Sequence, residues 1–166
     1  MENNKFVIAV YVDNKAGVLT RVTAMFTRRG FNIDALTVGE TEHPEYSRIT
    51  IAMKGDVYVK EQLINQLKKL LVVKKVEVLE EEPIKRELML IKVCNKSEYR
   101  SDIMTAVDVF RASVIDYSLD GMCIEVTGSP SKIDAFVKLM EPFGIIEMCR
   151  TGIVALERGT STLLGK

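Results

Sequence analysis

The feature that most constrains this chain is an order of elements that occurs twice. In the first half, apolar alternation, helical periodicity and turn residues predict strand 6–12, helix 17–29, strand 33–40, strand 47–54, helix 59–71 and strand 73–79. The acidic run Glu80-Glu81-Glu82, closed by Pro83, reads as a linker. Beyond it the order begins again with strand 87–93 and helix 101–110. Strands 113–118 and 122–127 follow, joined at the hairpin dipeptide Asp120-Gly121. Helix 131–140 then starts behind a Ser129 cap and Pro130, and a broken strand over 145–156 completes the series. Each half is βαββαβ, the split βαβ unit. The pattern predicts an α+β protein of two tandem ferredoxin-like domains, 1–80 and 87–158, with a linker over 81–86 and a loose tail over 159–166. The repetition is architectural, with little residue identity between the halves.

This fold places both helices of a unit on one face of its sheet. A strand whose other face meets water alternates apolar and polar residues. The first strand does not: Phe6, Ile8, Val10 and Val12 point one way, and Val7, Ala9 and Tyr11 the other. The open face therefore carries an apolar stripe that needs a cover, from a second chain, the other half or a partner protein.

Several classes of function find no support. Lys plus Arg and Asp plus Glu are both 23, so the formal charge of zero gives no footprint for nucleic acid or an anionic membrane. The strand SRITIAMK lacks the aromatics an RNA-recognition sheet presents. The run 6–12 is too short to span a membrane and makes a poor signal sequence. Cys94, Cys123 and Cys149 are far apart, each in an apolar run, and read as small buried hydrophobes in a reducing, cytoplasmic setting. His43, the only histidine, lies in the polar turn before Pro44 and reads as an exposed turn residue. No phosphate-binding glycine motif, metal ladder, nucleophile or carboxylate pair stands out, so no catalytic or metal-binding residue is assigned.

What remains is the loop Asp13-Asn14-Lys15-Ala16-Gly17, ahead of a helix whose stripe is Val18, Leu19, Val22, Met25 and Phe26. The first turn of a helix leaves N–H groups unpaired at the positive end of its dipole, a receptor for a carboxylate. Glycine there lets a ligand approach the backbone. Asn14 can accept from an ammonium group or donate to a carboxylate. With Val18, Leu19 and Ile33 near in sequence, these residues describe a pocket for an amino acid with an apolar side chain. The plainer alternative is that Gly17 relieves a tight strand-to-helix turn and Asn14 acts as a cap. A second asparagine, Asn32, lies beyond the far end of the helix. Thirteen residues of helix separate Gly17 from Gly30, about 20 Å at ~1.5 Å per residue. If Asn14 and Asn32 touch one small ligand, they come from different chains across a two-fold interface.

The motif N-x-x-G-x-L-x-R-V (Asn14, Gly17, Leu19, Arg21, Val22) followed by F-x-x-R-G-x-N-I-x-x-L-T-V (Phe26, Arg29, Gly30, Asn32, Ile33, Leu36, Thr37, Val38) closely resembles the ACT domain of the small regulatory subunits of acetolactate synthase. The resemblance continues through Ser47–Ile51, Arg86–Val93, Ile133–Phe136 and Arg150–Gly159, and so covers nearly the whole chain. It implies a non-catalytic subunit of branched-chain amino acid biosynthesis. Such a subunit binds and activates a catalytic subunit and confers feedback inhibition by valine. Thiamine diphosphate, Mg and FAD are implied for the catalytic partner, and no cofactor for this subunit. The resemblance places the effector between two ACT domains of a homodimer or larger assembly. Asn14, Gly17, Val18 and Leu19 form one side, with Asn32 and Ile33 from the neighbouring chain. Ala16 and Lys15 contribute backbone or packing. The second half, whose matching loop CNKSEYRS has no glycine, is implied to serve structure or partner contact. The alternative is an amino-acid-sensing ACT protein that regulates a different partner.

Overall fold

A computed structural model describes residues 4–79, 82–160 and 162 of the 166. Glu80 and Glu81, inside the acidic linker, and residues 161 and 163–166 of the expected tail lie outside the described residues. The chain forms two compact units: Met1–Ile84 together with Ile153–Lys166, and Lys85–Gly152.

The first unit runs β1 (Asn4–Asp13), α1 (Val18–Arg29), β2 (Ala35–Glu40), β3 (Tyr46–Gly55), α2 (Val57–Leu67) and β4 (Val73–Val78). Its antiparallel sheet has the order β2-β3-β1-β4. Ile8 and Val10 of β1 lie opposite Ile51 and Ile49 of β3, so their side chains share the helix-covered face. There they pack with Val18, Val22, Phe26, Leu63 and Leu67. The period-two alternation of β3 and the 3.6-residue period of α1 thus meet in one core.

The helix ends differ from the sequence expectation in physically legible ways. Gly17 is the cap of α1, in the left-handed region at φ 81°, rather than its first residue. Gly30 stops the helix at φ 68°, with its N–H and that of Phe31 returning to the carbonyls of Thr27 and Phe26. Leu19 does not join the buried stripe; it is 41% exposed. Asp56 starts α2 two residues earlier than expected by accepting from the N–H of Val59 at 2.8 Å. That helix ends at Leu67, which leaves Leu71, expected on its buried side, 93% exposed.

The second unit contains β5 (Ile84–Cys94), α3 (Arg100–Val109), β6 (Ser113–Tyr117), β7 (Gly121–Gly128), α4 (Pro130–Met140), a 3-10 turn (Glu141–Phe143) and β8 (Ile145–Arg150). Its strand order, β6-β7-β5-β8, repeats that of the first sheet. Met89, Ile91, Val93, Ile124, Val126, Ile133 and Phe136 form its core. Met104, expected beside Ile103 and Val107, is instead exposed. The Ser129 hydroxyl caps α4 by accepting from the N–H of Lys132, with Pro130 in the first turn. Arg150 forks onto the buried carboxylate of Glu87, at 2.7 and 2.8 Å, and reaches Asp134 of α4 at 2.9 Å. Hydrogen bonding to Glu87 raises the pKa of Arg150, more than burial lowers it.

The expected terminal strand is broken as read: after β8, a short strand β9 (Val154–Leu156) follows Gly152. Residues from Ile153 onward group with the first unit. They also answer the question of the apolar stripe. Val7, Ala9 and Tyr11 are buried in a second cluster with Leu79 and Ala155, against which Tyr46, Ala52 and Ile153 pack. The open face is covered by the chain's own distal segment. Arg48 on β3 donates through Nη2 to the carbonyl of Ala155 at 2.8 Å. Burial lowers the pKa of Arg48, with Glu42, Glu77 and Glu157 opposing it.

The cysteines depart from the expectation of three buried thiols. Cys123 is buried, Cys94 is half-buried and Cys149 is exposed. Cys149 lies on β8, an edge strand, opposite Leu90. The exposure of Cys149 on this edge strand is not announced by its sequence neighbours. His43 is exposed in the turn, as expected. Among the described residues no helix is long and apolar enough to cross a membrane.

Candidate functional site

The loop between β1 and α1 owes its shape to the asparagine before it and the glycine that ends it. The backbone N–H of Asp13 donates to Val72 at 3.0 Å and that of Asn14 to Glu45 at 2.8 Å, which fixes the chain as it leaves the sheet. Asp13 pairs with Lys74 at 3.0 Å. The left-handed cap at Gly17 then turns the chain into α1. A left-handed φ disfavours any residue with a Cβ, so glycine is explained by the turn itself. A Cβ at Gly17 would nevertheless meet nothing within 4 Å. The glycine thus both permits the turn and leaves the space over the helix start clear.

The helix start is open electrostatically as well. The N–H of Val18 reaches Lys15 at 3.3 Å and that of Arg21 reaches Gly17 at 3.1 Å. No side chain caps α1. Among the described residues nothing accepts from the N–H of Leu19 or Thr20. Two backbone donors at the positive end of a twelve-residue helix therefore face solvent. The first turn contains no acidic residue that would occupy them.

The structure brings some expected site residues together and separates others. Asn14, Ala16, Gly17 and Leu19 are exposed around the helix start. Val18 points away into the core at 6% exposure, and its N–H is engaged with Lys15. Ile33 is half-buried and packs against the same core. Asn32 is exposed beyond the other end of the helix, where its Nδ2 donates to Asp34 at 3.4 Å. Glu40, at the end of β2, accepts from Asn14 Nδ2 at 3.0 Å. It was not singled out in the sequence, where a glutamate at a strand end looks like any solvated residue. Among the described residues no group of three or more His, Cys, Asp or Glu could hold a metal ion.

In the matching loop of the second unit residues 96–99 are exposed as well, but its asparagine is engaged. Tyr99 stands at the cap position that Gly17 holds in the first unit, and its ring lies 5.7 Å from that of Phe143. The counterpart of Asn14 is Asn95, which follows β5 and is 3% exposed. The Asn-Lys pair that follows each strand, in DNKAG and in CNKSE, carries this correspondence in the sequence itself.

Two tandem ferredoxin-like units, the first with a glycine-capped loop ahead of its first helix, define a protein of the ACT type. Residues 8–75 match the model of the AHAS small subunit-like ACT domain, and residues 86–159 that of the small subunit of acetolactate synthase. A protein of Archaeoglobus fulgidus described as a probable acetolactate synthase small subunit is 50% identical over 93% of this chain and 98% of its own length. The acetolactate synthase small subunit of Mycolicibacterium smegmatis is 44% identical over 92% of this chain and 90% of its own. The crystal structure of the small subunit from Thermotoga maritima superposes with a TM-score of 0.88 at 42% identity, covering 95% of this chain and 99% of that one. The chain belongs to the acetolactate synthase small-subunit family, the regulatory partner of a catalytic subunit.

Proposed function

We propose that this chain senses valine, or a close branched-chain relative, and transmits its binding to the catalytic subunit of acetolactate synthase, which it also activates. The observation that carries this reading is the pair of unpaired N–H groups at Leu19 and Thr20 behind Gly17. They suit the carboxylate of an amino acid, and exposed Leu19 offers apolar contact for its side chain.

The layout of the sheet supports a site completed by a second copy. Strand β2 is an edge, with Val38 42% exposed. Its six residues span about 20 Å at ~3.3 Å each. Asn14 sits at the Glu40 end, while Asn32 and Ile33 precede Ala35 at the other. Antiparallel pairing of two β2 edges about a two-fold axis exchanges those ends. Asn32 and Ile33 of the second copy then come beside Asn14 and Gly17 of the first. This reading makes the effector a reporter on how two protomers are joined.

Valine inhibits only by favouring one arrangement of the regulatory dimer over another. A coupling of ~1–3 kcal/mol is typical, and the catalytic subunit must then change valine affinity by the same factor. In this reading thiamine diphosphate, Mg and FAD belong to the catalytic subunit, and the assembly works in the cytoplasm. The test is calorimetric titration of the chain with valine, with and without the catalytic subunit, alongside measured acetolactate formation. The reading expects saturable binding, stimulation of the catalytic subunit by the chain, and loss of that rate on adding valine. Absence of valine binding in both titrations overturns it.

A further inference from the structure

The side-chain amide of Asn14 has both N–H bonds committed within the chain. Nδ2 donates to Oε1 of Glu40 at 3.0 Å and to the carbonyl of Pro44 at 2.9 Å. What is left is Oδ1, which only accepts. Among the described residues no donor meets it.

The second unit repeats this arrangement with two differences: its asparagine has no carboxylate at Nδ2, and its Oδ1 is occupied. The backbone N–H of Asn95 donates to Asp120 at 3.1 Å, as that of Asn14 does to Glu45. Nδ2 of Asn95 donates to the carbonyl of Ser118 at 2.6 Å. Ser118 lies in the turn joining the second and third strands of its unit, as Pro44 does in the first. There, however, Oδ1 is taken: Nε of Arg100 donates to it at 3.0 Å, with the guanidinium 5.7 Å from the centre of the Tyr117 ring. A protein cation fills in one repeat the place that is open in the other.

We propose that Glu40 is a positioning residue that sets the polarity of the effector site. With the Pro44 carbonyl it holds Nδ2 of Asn14, and so leaves Oδ1 for the ligand as acceptor for the ammonium of an amino acid. The carboxylate is thereby assigned to the N–H groups of Leu19 and Thr20. The inference rests on the effector reading above and adds to it a direction of binding. A flipped amide would break both hydrogen bonds of Nδ2 and aim a donor at a cation. Glu40 therefore selects amino acids over carboxylic acids that lack the amine.

The experiment is calorimetric titration of the full-length chain with L-valine and with 3-methylbutanoate, which is valine without its ammonium. Wild type binds valine more tightly than 3-methylbutanoate. Glu40→Ala removes the charged one of the two acceptors of Nδ2 and weakens valine binding about tenfold, the scale of a hydrogen bond to a charged group. Its affinity for 3-methylbutanoate stays within about twofold, so the preference for the amine narrows. Glu40→Gln keeps an oxygen for Asn14 and retains most of that preference. Circular dichroism confirms that both variants, altered at an exposed position, are folded. Equal valine affinity in wild type and Glu40→Ala overturns the inference, as does an equal loss for both ligands. A wild-type chain that binds neither ligand overturns the effector reading and this inference with it.

Discussion

Arg48 and Ala155 lie 107 residues apart in sequence and are joined by a hydrogen bond of 2.8 Å from Nη2 to the carbonyl oxygen. The bond fixes residues 153–156 across the apolar stripe of β1, where Ala155 is 4% exposed against Val7, Ala9 and Tyr11. Replacing Ala155 by Glu puts a charge where only a methyl group fits. The expected result is a destabilisation of about 2–4 kcal/mol and new binding of a hydrophobic dye to the uncovered sheet. Denaturant unfolding and dye fluorescence check it.

The fork of Arg150 on Glu87 holds β8 to the start of β5, and Glu87 is 5% exposed. Arg150→Ala leaves a buried carboxylate without its partner and is expected to cost about 3–5 kcal/mol. Because the pKa of Arg150 is raised on folding, its contribution is complete below the unfolded value and is lost only as pH climbs through the folded one. Urea midpoints measured between about pH 6 and 9 should therefore show no stability change traceable to this residue.

Gly17→Asp tests the anion receptor. The left-handed backbone costs a residue with a Cβ about 1–2 kcal/mol, and aspartate tolerates that region better than most. The space over the loop is open, so no clash is added. The variant should stay folded while its own carboxylate occupies the N–H groups of Leu19 and Thr20. Acetolactate formation by the catalytic subunit with this variant is then expected to be insensitive to valine.

Arg100→Ala tests the engaged asparagine of the second unit. It leaves Oδ1 of Asn95, 3% exposed, without a donor and is expected to cost about 1–3 kcal/mol. Valine affinity of the full chain should not change, since the glycine-capped loop lies in the other unit. A thermal melt and a valine titration on the same sample read both outcomes.

Much of the fold was legible because its signals are local. The alternation in SRITIAMK gave β3 its face, Gly30 stopped α1, and Ser129 with Pro130 opened α4. The apolar stripe of β1 announced that a cover was needed but not which, since the cover comes from residues 153–156. Leu71 and Met104 were misplaced because helical period alone does not tell where a helix ends or how wide its buried face is. In the site, Gly17 and Asn14 stood out by residue type and spacing. The contact of Glu40 with Asn14 joins residues 26 apart, across β2 and the turn after it, which no single segment encodes.

In an interchain site, Asn14 comes from one protomer and Asn32 from its neighbour. Valine calorimetry on mixed dimers, with Asn14→Ala in one chain and Asn32→Ala in the other, separates this layout from a site within one chain. Both substitutions then fall on the same pocket, so the expected result is half the wild-type number of sites at unchanged affinity. Two equally weakened sites would contradict it.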